Sequence, residues 1–164
     1  MIFVQDSTYQ DIPLILNTEA KSYENAWNEK NVRDCKQLAI YLRVAYVGES
    51  HTSSIGAGHV AFQVAGNTVK MVRCAVQPKW RRMGIGTAMV NHVVDFARRM
   101  GKKRVQTVIR ETADSLGPCC FLRATGFKAK GILHPEGSDE EFYIFQRIVD
   151  GSKPGQQAPA VAGS

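Results

Sequence analysis

The segment that most constrains how this chain can fold lies at residues 69–97, where three kinds of sequence follow one another. Residues 69–76 are apolar and rich in β-branched side chains, which is typical of a strand. Apolar residues then recur at intervals of three and four over residues 85–97, which predicts an amphipathic helix. The loop between them contains two arginines and two glycines, Arg81, Arg82, Gly84 and Gly86. The sequence therefore predicts a strand, a cationic glycine-containing loop and a helix in direct succession.

Such a loop is suited to binding an anion with several oxygens. Glycine allows the backbone to approach a ligand closely, and the first turn of a helix offers unpaired N–H groups and a partial positive charge. Arginine side chains add full charge, so a pyrophosphate is the simplest ligand. The P-loop spacing is absent, and only Gly84-x-Gly86 of the dinucleotide fingerprint is present. Taken alone, the hexapeptide is also compatible with an ordinary helix start that carries surface arginines.

The order Arg81-x-x-Gly84-x-Gly86, between a strand and a helix, resembles the acyl-CoA pyrophosphate loop of the GNAT N-acetyltransferase superfamily. The resemblance implies acetyl-CoA as co-substrate and no metal. It also implies that free backbone N–H groups at the end of the preceding strand bind the acetyl carbonyl. The implied acetyl-CoA-binding residues are Cys74, Ala75, Val76, Arg81, Arg82, Met83, Gly84, Ile85, Gly86 and Thr87.

The other predicted elements follow the order of that superfamily's fold. Helices are predicted after a Thr8–Asp11 capping box, after Asn28, and at residues 85–100 and 120–124. Strands are predicted at 3–5, 39–48, 58–64, 69–76, 105–109, 127–133 and 142–148, with a Ser/Gly-rich loop at 49–56. The resemblance implies an α/β (α+β) GNAT fold, in which a mixed, mostly antiparallel sheet is splayed between its fourth and fifth strands and flanked by about four helices. We expect one GNAT acetyltransferase domain at residues 1–149 and a disordered Pro/Gly/Ala tail at 150–164.

Three further segments look like the RimI-like branch of the superfamily, which acetylates the α-amino group of ribosomal-protein N-termini. These segments are residues 19–27, 109–112 and 121–127. The early branch pattern is Glu-x-x-Ser/Ala-Phe-x-x-x-Trp, which corresponds here to Glu19 through Trp27. The resemblance implies that an acceptor peptide enters between residues 23–27 and the loop at 133–139, with Tyr23, Trp27 and His134 as substrate-binding residues.

The catalytic side chains of the RimI-like branch are replaced in this chain. The branch has a glutamate at the position of Val108 and a tyrosine at that of Leu122. The spacing from Arg110 to Gly126 is two residues longer than in the branch, and if the extra pair lies at residues 112–114, the asparagine that holds the pantetheine corresponds to Ser115. Valine and leucine exchange no proton, whereas serine keeps a hydroxyl that can contact pantetheine. Glu111 is the candidate catalytic base because it could deprotonate an amine through water. A solvated loop glutamate is the simpler interpretation of the same residue.

Charge and composition exclude several other classes of protein. The net charge is +6, and the excess of Lys and Arg is concentrated in residues 76–130. Nucleic acid would use such a patch, but no aromatic-interleaved basic run or helix-turn-helix pattern accompanies it. The four cysteines show no disulfide or CxxC spacing, and no apolar run is long enough to span a membrane. We expect a cytoplasmic protein without metal, nucleic-acid or membrane partners.

Three functions are compatible with these observations. The first is an N-acetyltransferase that moves an acetyl group directly from acetyl-CoA to an α-amino group of a protein or peptide N-terminus, for example that of a ribosomal protein. The second is a small-molecule amine acetyltransferase. The third is a non-catalytic acyl-CoA-binding module, which the residues Val108 and Leu122 favour. The aromatic residues Tyr23 and Trp27 favour the first function.

Overall fold

The computed structural model describes residues 1–149, and the chain divides into two compact units. The first unit comprises Met1–Val64 and Met71–His92. The second comprises Ala65–Lys70 and the described residues from Val93 onwards. The tail expected at residues 150–164 lies outside the described residues, and the assignment of residues 1–149 to one domain stays a prediction.

The described chain contains seven strands and four α-helices. In order they are β1 (Ile2–Asp6), α1 (Ile12–Ser22), α2 (Glu29–Asp34), β2 (Tyr41–Ser50), β3 (Ser53–Ala65), β4 (Thr68–Val76), α3 (Ile85–Arg99), β5 (Arg104–Arg110), α4 (Leu116–Ala124), β6 (Lys128–Leu133) and β7 (Phe142–Ile148). Short 3₁₀ turns at Tyr9–Asp11 and Pro78–Trp80 precede α1 and follow β4.

The strand order is β1-β2-β3-β4-β5-β7-β6. The pairs β1/β2, β2/β3, β5/β7 and β6/β7 are antiparallel, whereas β4 and β5 are parallel. The β4/β5 register covers only Thr68–Lys70 against residues 104–106. The predicted α/β (α+β) fold with a mixed, mostly antiparallel sheet is therefore confirmed, and β4 and β5 form its parallel pair.

Local hydrogen bonds explain where the helices begin and end. The Thr8 N–H donates to Asp11 Oδ2 at 2.7 Å, and the Asn28 side chain accepts from the Asn31 N–H at 2.9 Å, so both predicted caps are present. Helix α3 ends at Arg99, and Gly101, two residues further on, has a φ of 68° in the left-handed region that glycine tolerates after a helix.

Each unit has its own buried apolar residues. In the first unit, α1, α2 and β2 contribute Ile12, Ile15, Val32 and Val44 to one cluster, against which Trp27 is partly buried. In the second unit, the buried set is Val93, Ala97, Val105, Phe127 and Phe145. Burying side chains of this size stabilises a fold by about 1.5–3 kcal/mol each.

Two element boundaries differ from those predicted. The loop expected at residues 49–56 is a tight turn, because β2 and β3 continue to the pair Ser50↔Ser53. Small polar side chains do not prevent a hairpin ladder, since its hydrogen bonds join backbone groups. Helix α4 begins at Leu116 rather than near residue 120. Its Pro118 lies in the first turn, where the missing N–H would have no partner within the helix.

Candidate functional site

The loop between β4 and α3 has the backbone of an anion-binding site. Gly84 has a φ of 81° and Arg82 a φ of 63°, so two of three successive residues adopt a left-handed conformation. For the non-glycine Arg82 this conformation costs about 1–2 kcal/mol. The first helical bond of α3 joins the Ala88 N–H to the Gly84 carbonyl at 3.0 Å. The earlier N–H groups of the first turn have no partner within the helix, so they can donate hydrogen bonds to a bound anion.

The surroundings of Gly84 are open. A Cβ placed on this residue would have no other heavy atom within 4 Å, apart from its chain neighbours. Arg82, Met83 and Thr87 are exposed around it, whereas Ile85 is buried and anchors the start of the helix. A ligand could therefore approach the loop backbone directly, and a multiply charged phosphate group fits this cationic surface.

The Arg81 side chain fixes the loop to the preceding strand. Its Nε donates to the Val76 carbonyl at 3.0 Å, and its Nη2 donates to Ser22 Oγ at 3.4 Å. The structure thus brings together Val76, at the end of β4, and the loop residues predicted to hold the pyrophosphate. One guanidinium N–H of Arg81 is committed to the backbone, so Arg81 both shapes the loop and contributes charge to it.

The Cys74 N–H, one of the strand N–H groups predicted to be free, already donates a hydrogen bond within the protein. Gln77 donates its N–H to Ala57 on β3 at 2.8 Å, and because strand groups alternate in direction, the Cys74 N–H points away from β3. There it donates to Tyr23 Oη at 3.1 Å, and the same hydroxyl donates to the Cys74 carbonyl at 3.1 Å. In this structure the Cys74 N–H is therefore bonded to Tyr23 rather than free, and the binding of the acetyl carbonyl by residues 74–76 stays a prediction.

A buried carboxylate that sequence reasoning did not single out organises this side of the strand. Glu19 is fully buried, and its Oε1 accepts from the Trp27 N–H at 2.8 Å and from Arg73 Nε at 3.2 Å. Its Oε2 lies 2.7 Å from His59 Nε2. Burial raises the pKa of Glu19, but the hydrogen bonds from His59 and the Trp27 N–H, with the charges of His59 and Arg73, give a net lowering. The carboxylate is held ionised.

Arg73 ties the segment at residues 23–27 to β4. Its guanidinium carbon lies 4.5 Å from the Tyr23 ring centroid and 4.9 Å from that of Trp27, and its Nη2 donates to the Asn25 carbonyl at 3.0 Å. Contacts of this kind between a cation and an aromatic face are attractive. The segment is therefore fixed by Glu19, Arg73 and Cys74, and its two aromatic side chains cannot move independently.

In the second unit, the predicted residues Glu111 and His134 lie at the ends of β5 and β6, close to Glu141. The Glu111 N–H donates to the Glu141 carbonyl at 2.8 Å, and His134 Nε2 lies 3.4 Å from Glu141 Oε1. Both predicted residues are exposed. Partial burial and the negative charges of Glu111 and Glu141 raise the pKa of Tyr143, so its hydroxyl stays protonated.

The three positions that differ from the RimI-like branch are also in the second unit. Val108 is 44% exposed on β5, whereas Leu122 is 3% exposed and buried in α4. Ser115 precedes α4 and donates its hydroxyl to the Thr112 carbonyl at 2.8 Å. The Ser115 hydroxyl is therefore already a donor within the protein, while its lone pairs can still accept. Burial raises the pKa of Cys119, which keeps that thiol protonated and poorly nucleophilic.

Two features are absent from residues 1–149. No group of three or more His, Cys, Asp or Glu side chains in this part of the chain is arranged to hold a metal ion. Among the described helices, none combines the length and the apolar character needed to cross a bilayer.

Comparison with known proteins supplies a family and a fold. The sequence model of the acetyltransferase (GNAT) family matches residues 12–117, whereas no curated protein matches the chain significantly. The fold is similar to that of the ribosomal-protein-S18-alanine N-acetyltransferase from Escherichia coli, with 18% identity, a TM-score of 0.72, and coverage of 91% of this chain and 94% of that chain.

Two other solved structures show how varied the proteins of this fold are. Arabidopsis thaliana Naa50 in complex with the bisubstrate analogue CoA-Ac-MVNAL has 14% identity, a TM-score of 0.67, and coverage of 89% of this chain and 97% of that chain. Nourseothricin acetyltransferase has 15% identity, a TM-score of 0.65, and coverage of 90% and 98%, respectively. Similarity at these identities shows the fold and leaves the acceptor open.

Proposed function

The chain belongs to the acetyltransferase (GNAT) family and is an acetyl-CoA-dependent acetyltransferase, and from this premise we propose that its acceptor is the α-amino group of a protein or peptide N-terminus. The observation that carries the proposal is the fixed position of residues 23–27. Tyr23 and Trp27 are held beside β4, the strand expected to bind the acetyl group, by the contacts of Arg73 and Glu19. A preorganised aromatic segment suits an extended peptide better than a small, freely rotating amine.

The β4–α3 loop is suited to acetyl-CoA. The backbone N–H groups of residues 83–87 and the guanidinium groups of Arg81 and Arg82 would hold the pyrophosphate, because the loop is open at Gly84 and carries the helix N-terminus. Acetyl-CoA supplies a thioester whose carbonyl carbon accepts an amine and whose sulfur is a good leaving group. The remaining task of the protein is to orient the acceptor and to keep its nitrogen unprotonated.

The residues present favour direct transfer to an amine that loses its proton easily. Neither Val108 nor Leu122 can exchange a proton, and Tyr143 stays protonated. An α-amino group has a pKa of about 7.7–8.0, whereas that of a lysine side chain is about 10.4. Near neutral pH the α-amine therefore offers a far larger unprotonated fraction, and this chain is better suited to N-termini than to lysine side chains.

The pH dependence of the rate tests this mechanism. We expect kcat/KM with an N-terminal peptide to rise with pH and to level off above about 8, because it follows deprotonation of the substrate. The Glu111→Gln variant should keep the same midpoint. A rate that is already maximal at about pH 6.5 in the unaltered enzyme would show that the enzyme has a base, and a midpoint that moves in the variant would identify Glu111 as that base.

Replacement of Trp27 tests the acceptor site. Trp27→Ala is expected to raise KM for the peptide by about 10-fold or more, while KM for acetyl-CoA changes less than about twofold, because an aromatic anchor is worth about 2 kcal/mol at a peptide interface. Trp27→Phe should retain most of the affinity and serves as the control for packing against the apolar cluster. Equal effects on both substrates would indicate that Trp27 has only a structural role.

The competing function is acetylation of a small-molecule amine. The similarity in fold to nourseothricin acetyltransferase is compatible with it. One experiment separates the possibilities: acetyl-CoA turnover measured with a panel of N-terminal peptides, including ribosomal-protein N-termini, and a panel of amines that includes free lysine and polyamines. Preferential turnover of peptides supports the proposal. Preferential turnover of small amines would overturn it, and binding of acetyl-CoA without any turnover would indicate a non-catalytic module.

A further inference from the structure

We propose that Tyr23 is a catalytic hydrogen-bond donor, whose hydroxyl binds the acetyl carbonyl oxygen of acetyl-CoA together with the Cys74 N–H. The proposal rests on the proposed function only in requiring acetyl transfer, and it does not depend on which amine is the acceptor. It assigns to the segment at residues 23–27 a part in the reaction itself, in addition to acceptor binding.

The geometry at Cys74 supports this role. The Tyr23 oxygen lies 3.1 Å from both the nitrogen and the carbonyl oxygen of Cys74. A hydroxyl donates one hydrogen bond and accepts others, and its hydrogen rotates freely. If the acetyl carbonyl oxygen replaces the Tyr23 hydroxyl as the acceptor of the Cys74 N–H, it must lie close to the present position of the Tyr23 oxygen. A small displacement of the phenol would then allow its O–H to donate to the same carbonyl oxygen.

The Tyr23 ring is also restrained, so that only a small displacement separates its present position from one that donates to the carbonyl oxygen. The Arg73 guanidinium packs over its ring, and Arg73 is in turn fixed by the buried Glu19. Burial raises the pKa of Tyr23 to about 12, so the hydroxyl keeps its proton throughout the pH range of the reaction. Donors that are oriented before the reaction lose little energy in reorganisation, which is why such groups stabilise developing charge well.

The role fits the chemistry of the transfer. The amine nitrogen forms a bond to the carbonyl carbon, the carbon–sulfur bond breaks, and the sulfur leaves with the electron pair of that bond. The amine proton passes to solvent. During the attack negative charge collects on the carbonyl oxygen, and two donors, the Cys74 N–H and the Tyr23 O–H, stabilise it there. Tyr23 donates a hydrogen bond and transfers no proton, which is consistent with its raised pKa.

The alternative is that Tyr23 merely caps the strand and must be displaced when acetyl-CoA binds. The two roles predict opposite results when the hydroxyl is removed. A donor to the carbonyl oxygen affects only ligands that have this oxygen. A cap that competes for the Cys74 N–H lowers the affinity of ligands whose acetyl oxygen must take over that N–H, so its removal should strengthen the binding of those ligands.

The test is calorimetric titration of the Tyr23→Phe variant with two stable analogues and no acceptor. One analogue has a methylene in place of the thioester sulfur and keeps the carbonyl, and the other is S-ethyl-CoA, which lacks it. We expect the variant to bind the carbonyl analogue about fivefold more weakly and S-ethyl-CoA unchanged, since one neutral hydrogen bond is lost. In turnover, kcat should fall by about 100-fold, the usual effect of removing one such donor.

The matched control is Tyr9→Phe, because Tyr9 is 78% exposed and the substitution likewise removes only a hydroxyl. It should bind both analogues and turn over as the unaltered enzyme does. Equal or tighter binding of the carbonyl analogue by Tyr23→Phe, compared with the unaltered protein, would overturn the proposal, as would a parallel gain or loss for both analogues. Because no acceptor is present in the titration, its result does not depend on whether the acceptor is a peptide N-terminus. The role of Tyr23 and the identity of the acceptor are therefore tested separately.

Discussion

Replacing Gly84 with valine is expected to weaken acetyl-CoA binding by at least about 100-fold while leaving most of the folded stability. The φ of 81° at this position lies in a region that a β-branched residue adopts only with strain, so the loop backbone must change. The added side chain would also project into the open space beside the N–H groups. Loss of two hydrogen bonds to a charged phosphate, each worth about 1.5–3 kcal/mol, is sufficient for the predicted effect.

A matched substitution separates backbone strain from loss of the ligand site. Gly66 has a φ of 60° and, like Gly84, no heavy atom within 4 Å of the position that a Cβ would take, but it lies in the turn between β3 and β4. Gly66→Val should lower the midpoint of thermal unfolding about as much as Gly84→Val, with CoA affinity unchanged in calorimetry. Undiminished CoA affinity in Gly84→Val would mean that the pyrophosphate binds elsewhere.

The fold and the strand–loop–helix order around Gly84 could be predicted because their signals are local, whereas anion binding by this loop stays a prediction. A glycine with positive φ, an apolar stripe that begins at Ile85 and an Asn28 cap each act within a few residues of the chain. The strand boundaries near residues 49–56 could not be read in this way, because polar side chains conceal a ladder formed by backbone groups. The family resemblance implied a mixed, mostly antiparallel sheet but did not specify that β4 and β5 form the parallel pair.

The contacts around Cys74 were not predictable because their partners are distant in sequence. Tyr23 and Cys74 are 51 residues apart, and Glu19 lies 40 residues from His59 and 54 from Arg73. No spacing rule connects such positions. One signal was present: Tyr23 occupies the place of the phenylalanine in the Glu-x-x-Ser/Ala-Phe-x-x-x-Trp pattern, and a hydroxyl added to a packed ring requires a polar partner.

The largest loss of stability is expected from Glu19→Ala, at about 3–5 kcal/mol of unfolding free energy at neutral pH. Removing one member of a buried ionic group leaves the others desolvated and unpaired, here the Trp27 N–H, the buried His59 and the Arg73 guanidinium. Glu19→Gln should lose less, because its amide can still accept from Trp27.

Glu29→Ala is the control: this carboxylate is 57% exposed in a surface pair with Arg33, and its loss should change stability by less than about 1 kcal/mol. Urea denaturation of the three variants measures the difference.

The same carboxylate is expected to make the protein sensitive to acid, and the lowered pKa of Glu19 determines the direction. Because the folded protein binds the Glu19 proton more weakly than the unfolded chain, the stabilising contribution is complete above the ordinary value of 4.5 and is lost as the pH falls through the lower, folded value. In a titration followed by the Glu19 carboxyl carbon resonance, we expect the midpoint below 4.5. A midpoint above that value would show that the burial of Glu19 outweighs its hydrogen bonds to His59 and Trp27, and the carboxylate would then destabilise the segment that it is inferred to hold.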